Sequence, residues 1–134
     1  MSIKLVKGKT RLEWLPVTTS TVIPAAIVEM TSGLVGEADD NDTALAGVLV
    51  KATAATDSDY ATARKVAVRI PVERHVIWEI TGTGTFAATD IGAEFGISDS
   101  GTTDKSDTTN KVFLVTEFVS ATLVRGYLKI NGSY

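Results

Sequence analysis

The chain has no cysteine, a single histidine and only three prolines among its 134 residues. Without cysteine it can form no disulfide and no thiolate-ligated zinc or iron–sulfur site. With His75 alone, a histidine-based catalytic or metal-binding site would lack a second imidazole. No stretch approaches the roughly 18–20 consecutive apolar residues of a membrane helix. The basic residues at the start are followed by no apolar segment of the kind a secretory signal needs. The expectation is a soluble protein made in the cytosol, with no membrane partner. Positive charge is also not in surplus. The formal net charge is −3 and the pI about 5.1, whereas a nucleic-acid-binding face needs clustered Lys and Arg.

What is present is β-branched. Threonine, valine and isoleucine are frequent, and eleven glycines punctuate short apolar runs. Such side chains fit a pleated surface better than a helix. The length suits one domain with an ordinary core. The fold class expected is all-β: a small single-domain, partly open β-barrel or sandwich with an extended N-terminal arm. Glycines inside apolar runs, at Gly92 and Gly96, favour a barrel by allowing strands to bend sharply.

The division expected is an arm at residues 1–14 and a β-rich body at 15–134. Lys4, Lys7, Lys9 and Arg11 precede the first acid, Glu13, with Ile3, Leu5 and Val6 as apolar hooks. The arm is then either loose or ordered against a partner. Extended segments follow at 12–17, with Trp14 and Pro16, at 22–30 and at 45–51. Residues 52–63 could hold one helical turn behind Asp57 or Asp59 as N-cap. Residues 65–97 contain the clearest period-two pattern: Val66, Val68 and Ile70 share one face, as do Val76, Trp78 and Ile80. The two runs could form a hairpin, or one long strand broken at Pro71. Gly82-Thr83-Gly84 is expected to turn the chain, and 85–88 to be extended. Residues 98–110, with no apolar side chain, suggest a surface loop, and 111–119 with 122–130 a tight hairpin.

The candidates for chemistry are few. His75 alternates with Val76 and Trp78 and is expected at the surface. The acidic run Glu37, Asp39, Asp40, Asn41, Asp42 is the best place for a cation, but it lacks the spacing and distal Glu of a calcium loop. The glycine run at 82–87 lacks the third glycine and following helix of a dinucleotide site. No serine lies in a Gly-x-Ser-x-Gly elbow. Glu79 and Glu94 lie on strands, but Glu79 falls on the polar face. No enzyme, metal or cofactor is expected. Trp78 and Phe113 are expected in the core. Trp14 could pack on its own domain or anchor the arm to a partner, as buried tryptophan does at interfaces.

One ordered set of residues resembles a known family. It comprises Ala46-Gly47-Val48-Leu49-Val50, then TDSDYATARKVAVRIP, then WEITGTGTFAATDIGAEFGIS, a polar loop, and a hairpin with Phe113, Val115, Val119, Val124 and Gly126. Over residues 35–128 this resembles the capsid decoration, or cement, proteins of tailed bacteriophages. The resemblance implies a virion structural protein on the outer capsid surface, a homotrimer bound to the major capsid protein that stabilises the shell. It also implies that Ile3, Lys4, Leu5, Val6, Lys7, Lys9, Arg11 and Trp14 form a capsid-binding arm, with Ile3, Leu5 and Val6 adding a strand to a neighbour's edge. Other roles stay open: a tail-tube, head-completion or fibre-attachment protein, or a β-barrel module for a ligand or carbohydrate.

Overall fold

Burial follows the two-residue period. In the computed structural model Val66, Val68 and Ile70 point inward from one strand, and Trp78, Ile80 and Gly82 from the next. The structure describes residues 3–17, 22–58 and 64–134. Within them the strands are β1 (Ile3–Lys7), β2 (Thr10–Pro16), β3 (Ile27–Thr31), β4 (Leu34–Glu37), β5 (Leu45–Leu49) and β6 (Lys65–Pro71). They continue with β7 (Ile77–Thr83), β8 (Glu94–Asp99), β9 (Thr102–Asp104), β10 (Phe113–Ser120) and β11 (Leu123–Leu128). A 3₁₀ turn at Ala88–Asp90 is the one helical element among the described residues.

The strands form a barrel and a second sheet. The barrel runs β7-β11-β10-β8-β9 and closes where β9 pairs parallel with the end of β7. β1 adds antiparallel to the first half of β7, on the side where β9 takes the second half. The second sheet has the order β2-β6-β5-β3-β4. One apolar core joins the two, with Trp78, Phe86, Phe113, Ile27, Val68 and Ile97 among its fully buried side chains. The all-β single-domain barrel expected from the sequence is therefore present, with its ring closed rather than partly open.

Residues 1 and 2 of the expected arm lie outside the described residues, and residues 3–14 require a correction. Residues 3–14 are not an arm detached from the body. β1 pairs with β7 in the barrel sheet, and β2 pairs with β6 in the second sheet. The strand-adding capacity of Ile3 and Leu5 is used within the chain: Ile3 stands opposite Ile80 and Leu5 opposite Trp78. The same correction applies to 65–97. β6 and β7 neither form a hairpin nor share a sheet, and the chain crosses between sheets at 72–76, beside its own crossing at Gly8 and Lys9. Lys9 N donates to Glu73 Oε1 at 2.8 Å, holding the two crossings together. Gly8 has φ +110, and a Cβ there would lie 2.9 Å from Val76 Cγ2. Only glycine fits that corner without strain.

Residues 98–110 also differ from expectation. They contain the end of β8 and all of β9, the strand that closes the barrel, with Ser100, Thr102 and Thr103 buried. Burial of Thr103 is possible because its Oγ1 donates to the Gly96 carbonyl at 2.8 Å. The turn expected at 82–84 comes later, since Gly82 and Thr83 still belong to β7, and 85–88 leads into the 3₁₀ turn. In the 52–63 connection, residues 52–58 hold no helix, and Asp57 Oδ2 instead accepts from Ala54 N at 2.7 Å. Asp59 lies outside the described residues.

Candidate functional site

The exposed face of β2 is built by simple alternation. The Lys9 carbonyl accepts from Val72 N at 3.1 Å, and Val17 N donates to the Arg64 carbonyl at 3.2 Å. With the continuous register from Thr10↔Pro71 to Pro16↔Lys65, these bonds place the odd residues in the ladder to β6. The N–H and C=O groups of Thr10, Leu12 and Trp14 therefore point away from β6. On that side, among the described residues, the only pairing is the bridge Val17↔Val35. β2 is an open edge along Thr10–Trp14.

The side chains alternate as well. Glu13 and Leu15 stand opposite the buried Val68 and Val66, on the inner face, while Leu12 and Trp14 lie with Arg69 and Ala67 on the outer face. Trp14 is 63 % exposed, Leu12 53 % and Val50, at the end of β5, 42 %. Together they border an open cleft of about 500 Å³ whose lining includes Thr53, Arg64 and Lys65. Its floor is fixed by Arg64, whose guanidinium is buried and meets Asp57 Oδ2 at 3.2 Å, and by Thr53 Oγ1, which accepts from Ile23 N at 2.6 Å. A large aromatic and two aliphatic side chains grouped on a rigid strand surface form the sort of patch that marks a contact site.

The structure separates the other residues that the family resemblance implied for capsid binding. Ile3 is in the core, and Leu5 packs against it. Lys4 Nζ pairs with Glu79 Oε1 at 3.2 Å. Glu79 Oε2 accepts from Arg125 Nε at 2.9 Å, and Arg125 reaches Glu117 at 3.3 Å. These charges form a ladder across β1, β7, β11 and β10 on the outside of the barrel. Arg11 pairs with Glu13 at 2.8 Å. Val6, Lys7 and Lys9 are exposed, and Lys7 and Lys9 make no ion pair among the described residues. Leu12 and Val50 join Trp14 in the patch although the sequence did not single them out. The i, i+2 spacing of Leu12 and Trp14 was the available signal for the first. For Val50 there was none, because its place beside Trp14 depends on sheet order.

The remaining candidates have structural surroundings. His75, with φ +63, is exposed and stacks on Tyr127 with ring centroids 4.6 Å apart. In the acidic loop, Asp42 accepts from Asp39 N, Asp39 from Asp40 N, and Glu37 from Ser100 Oγ. Among the described residues no three His, Cys, Asp or Glu side chains are grouped to hold a metal ion.

Three carboxylates are held below their ordinary pKa. The hydrogen bond from Arg125 lowers Glu79, with Lys4 adding to it. The Lys105 ammonium lowers Asp90, and the backbone N–H of Asn110, then that of Thr109, lowers Asp107. A carboxyl depressed in the folded state stabilises the fold above its unfolded pKa, and that contribution is lost as pH falls through the folded value. The ordinary values are 4.5 for Glu79 and 3.8 for the two aspartates. The melting temperature is therefore expected to be level from neutral pH down to about 4.5 and to drop below it. The Asp107→Asn variant should show a shallower drop in thermal melts recorded between pH 2 and 6. An identical slope would remove Asp107 from the account.

No protein-family model matches this chain, and no curated protein matches it.

Proposed function

We propose that the chain is a virion structural protein of a tailed bacteriophage, bound to the outer capsid surface and stabilising the shell by bridging neighbouring major capsid protein subunits. The observation that carries this reading is the Leu12–Trp14–Val50 patch, an exposed apolar surface on the five-stranded sheet that shares its core with the closed barrel. The sequence resemblance supplies the shell as the partner. The patch replaces a flexible arm as the gripping element, with Trp14 at its centre, and the exposed cations Lys7, Lys9, Lys51 and Lys65 favour an acidic counter-surface. Preformed strands are suited to the task, since no ordering entropy opposes docking. Many modest contacts, one per copy, reinforce seams that open together under internal pressure.

Heads prepared without the protein test the mechanical role. Filled heads lacking it are expected to release DNA at a lower temperature than complete heads, and adding the purified chain should restore the difference. Release at one temperature in both preparations would contradict shell stabilisation.

A second reading rests on the cleft itself. A volume of about 500 Å³ beside an exposed tryptophan and an arginine falls in the range of small-ligand sites. A carbohydrate-binding module would bind a saccharide there by stacking on Trp14. Thermal melts against a panel of sugars separate the readings: a reproducible rise that disappears in Trp14→Ala supports the module, and no rise supports the shell-binding protein.

A further inference from the structure

The open edge of β2 has a charge pattern complementary to itself. We infer that two copies of this chain pair through β2, antiparallel and centred on Leu12, in a closed two-fold dimer that exists free of any shell. The outward backbone groups belong to the even residues, so two such edges can join only with even opposite even. Centring on Leu12 sets Leu12 opposite Leu12 of the second copy, and Thr10 opposite Trp14 in both directions. All three exchange backbone hydrogen bonds in that register.

The odd residues then form the non-bonded pairs, where side chains approach most closely. Arg11 faces Glu13 of the second copy, and Glu13 faces Arg11. These two already meet within one chain at 2.8 Å, so pairing joins them in a four-charge cluster of alternating sign. Moving the centre by one residue either way places Arg11 opposite Arg11, or Glu13 opposite Glu13. Like charges directly opposed destabilise a sheet, so the neighbouring registers are rejected. The ends of the pairing are also set. Pro16, which has no N–H to offer, would meet Gly8 of the second copy, where the chain turns out of the sheet at φ +110.

Charged residues on the inward face and a proline are means by which edges resist indiscriminate pairing. Here their order is complementary to a second copy in the Leu12-centred register. Thr10, Leu12 and Trp14 of both copies would make a continuous ten-stranded sheet with two apolar patches side by side on its outer face. Such a dimer presents two gripping surfaces. The three-fold association implied by the family resemblance is not the symmetry this edge favours.

Charge reversal tests the register with the full-length chain. In analytical ultracentrifugation the wild type is expected to sediment as a dimer. Arg11→Glu and Glu13→Arg should each raise the dissociation constant by about tenfold or more, because two attractive pairs become two repulsive ones. A mixture of the two variants should recover a dimer containing one of each, detected by labelling one of them, and the double reversal R11E/E13R should dimerise as the wild type does. Recovery in the mixture shows that both variants fold. A wild type that stays monomeric, a trimer insensitive to both changes, or single variants that dimerise normally would each overturn the inference. Shell binding by a monomer would leave the proposed function standing and remove the dimer alone.

Discussion

Replacing Gly126 by alanine is expected to cost the protein a large share of its stability. Gly126 lies in β11 between Trp78 of β7 and Val115 of β10, at the point where the β10–β11 register shifts. A Cβ at this position would fall 1.9 Å from the Leu114 carbonyl oxygen and 3.1 Å from Phe113 Cε1. Leu114 is held by pairing with both Tyr127 and Glu94, and a closed ring cannot open one seam without straining the others. Overpacking in cores costs about 1–3 kcal/mol, and a clash with main chain belongs at the upper end. Against a total of roughly 5–15 kcal/mol, a loss of about 3 kcal/mol should lower the melting temperature by roughly 10–15 °C. Differential scanning calorimetry checks it. A shift within a degree or two would mean that β10 and β11 are further apart than described.

Replacing Trp14 by alanine is expected to have the largest effect on shell binding and almost none on folding. Its ring is mostly exposed on the outer face of an edge strand, so removing it leaves no core cavity, and stability should change by no more than about 0.5 kcal/mol. At an interface the same ring is the natural anchor. Truncating a tryptophan hot spot costs about 2 kcal/mol or more, which is roughly thirtyfold in affinity. Leu12→Ala and Val50→Ala should weaken binding less, as flanking contacts that exclude water. A Trp14→Ala variant that melts normally and binds shells normally would move the contact to another face.

The contrast between these two sites shows which features the sequence made legible. The fold class was readable because period-two burial is local: Val66, Val68, Ile70, Trp78 and Ile80 announce their faces within a few residues. The hairpin of β10 and β11 was readable for the same reason, since both strands and their short turn adjoin. Sheet membership was not readable. β6 and β7 are close in sequence and carry similar patterns, yet the corner at 72–76 sends them to different sheets. β9 was hidden more deeply. Ser100, Thr102 and Thr103 carry no apolar signal, and their burial depends on partners such as the Gly96 carbonyl that only the closed barrel supplies. Residues 3–14 were read as part of an arm, with Ile3, Leu5 and Val6 able to add a strand to a neighbour, because nothing in Ile3-Lys4-Leu5 indicates that the matching edge is the chain's own β7. Lys4 is engaged for that reason: it sits beside Glu79 once β1 is in place. Trp14 was legible as a candidate from its setting, whereas Val50 became part of the patch only through the order of β2, β6 and β5.

The proposed role places this chain on a shell, and direct binding decides that point. The purified protein should be titrated against expanded, DNA-free shells built from the major capsid protein that the proposed role gives it as partner, with bound and free chain separated by sedimentation. Wild-type protein is expected to pellet with the shells and to saturate at a fixed ratio to the major capsid protein, while Trp14→Ala stays largely in the supernatant at the same concentrations. Wild-type protein that remains in the supernatant at every ratio would contradict the account.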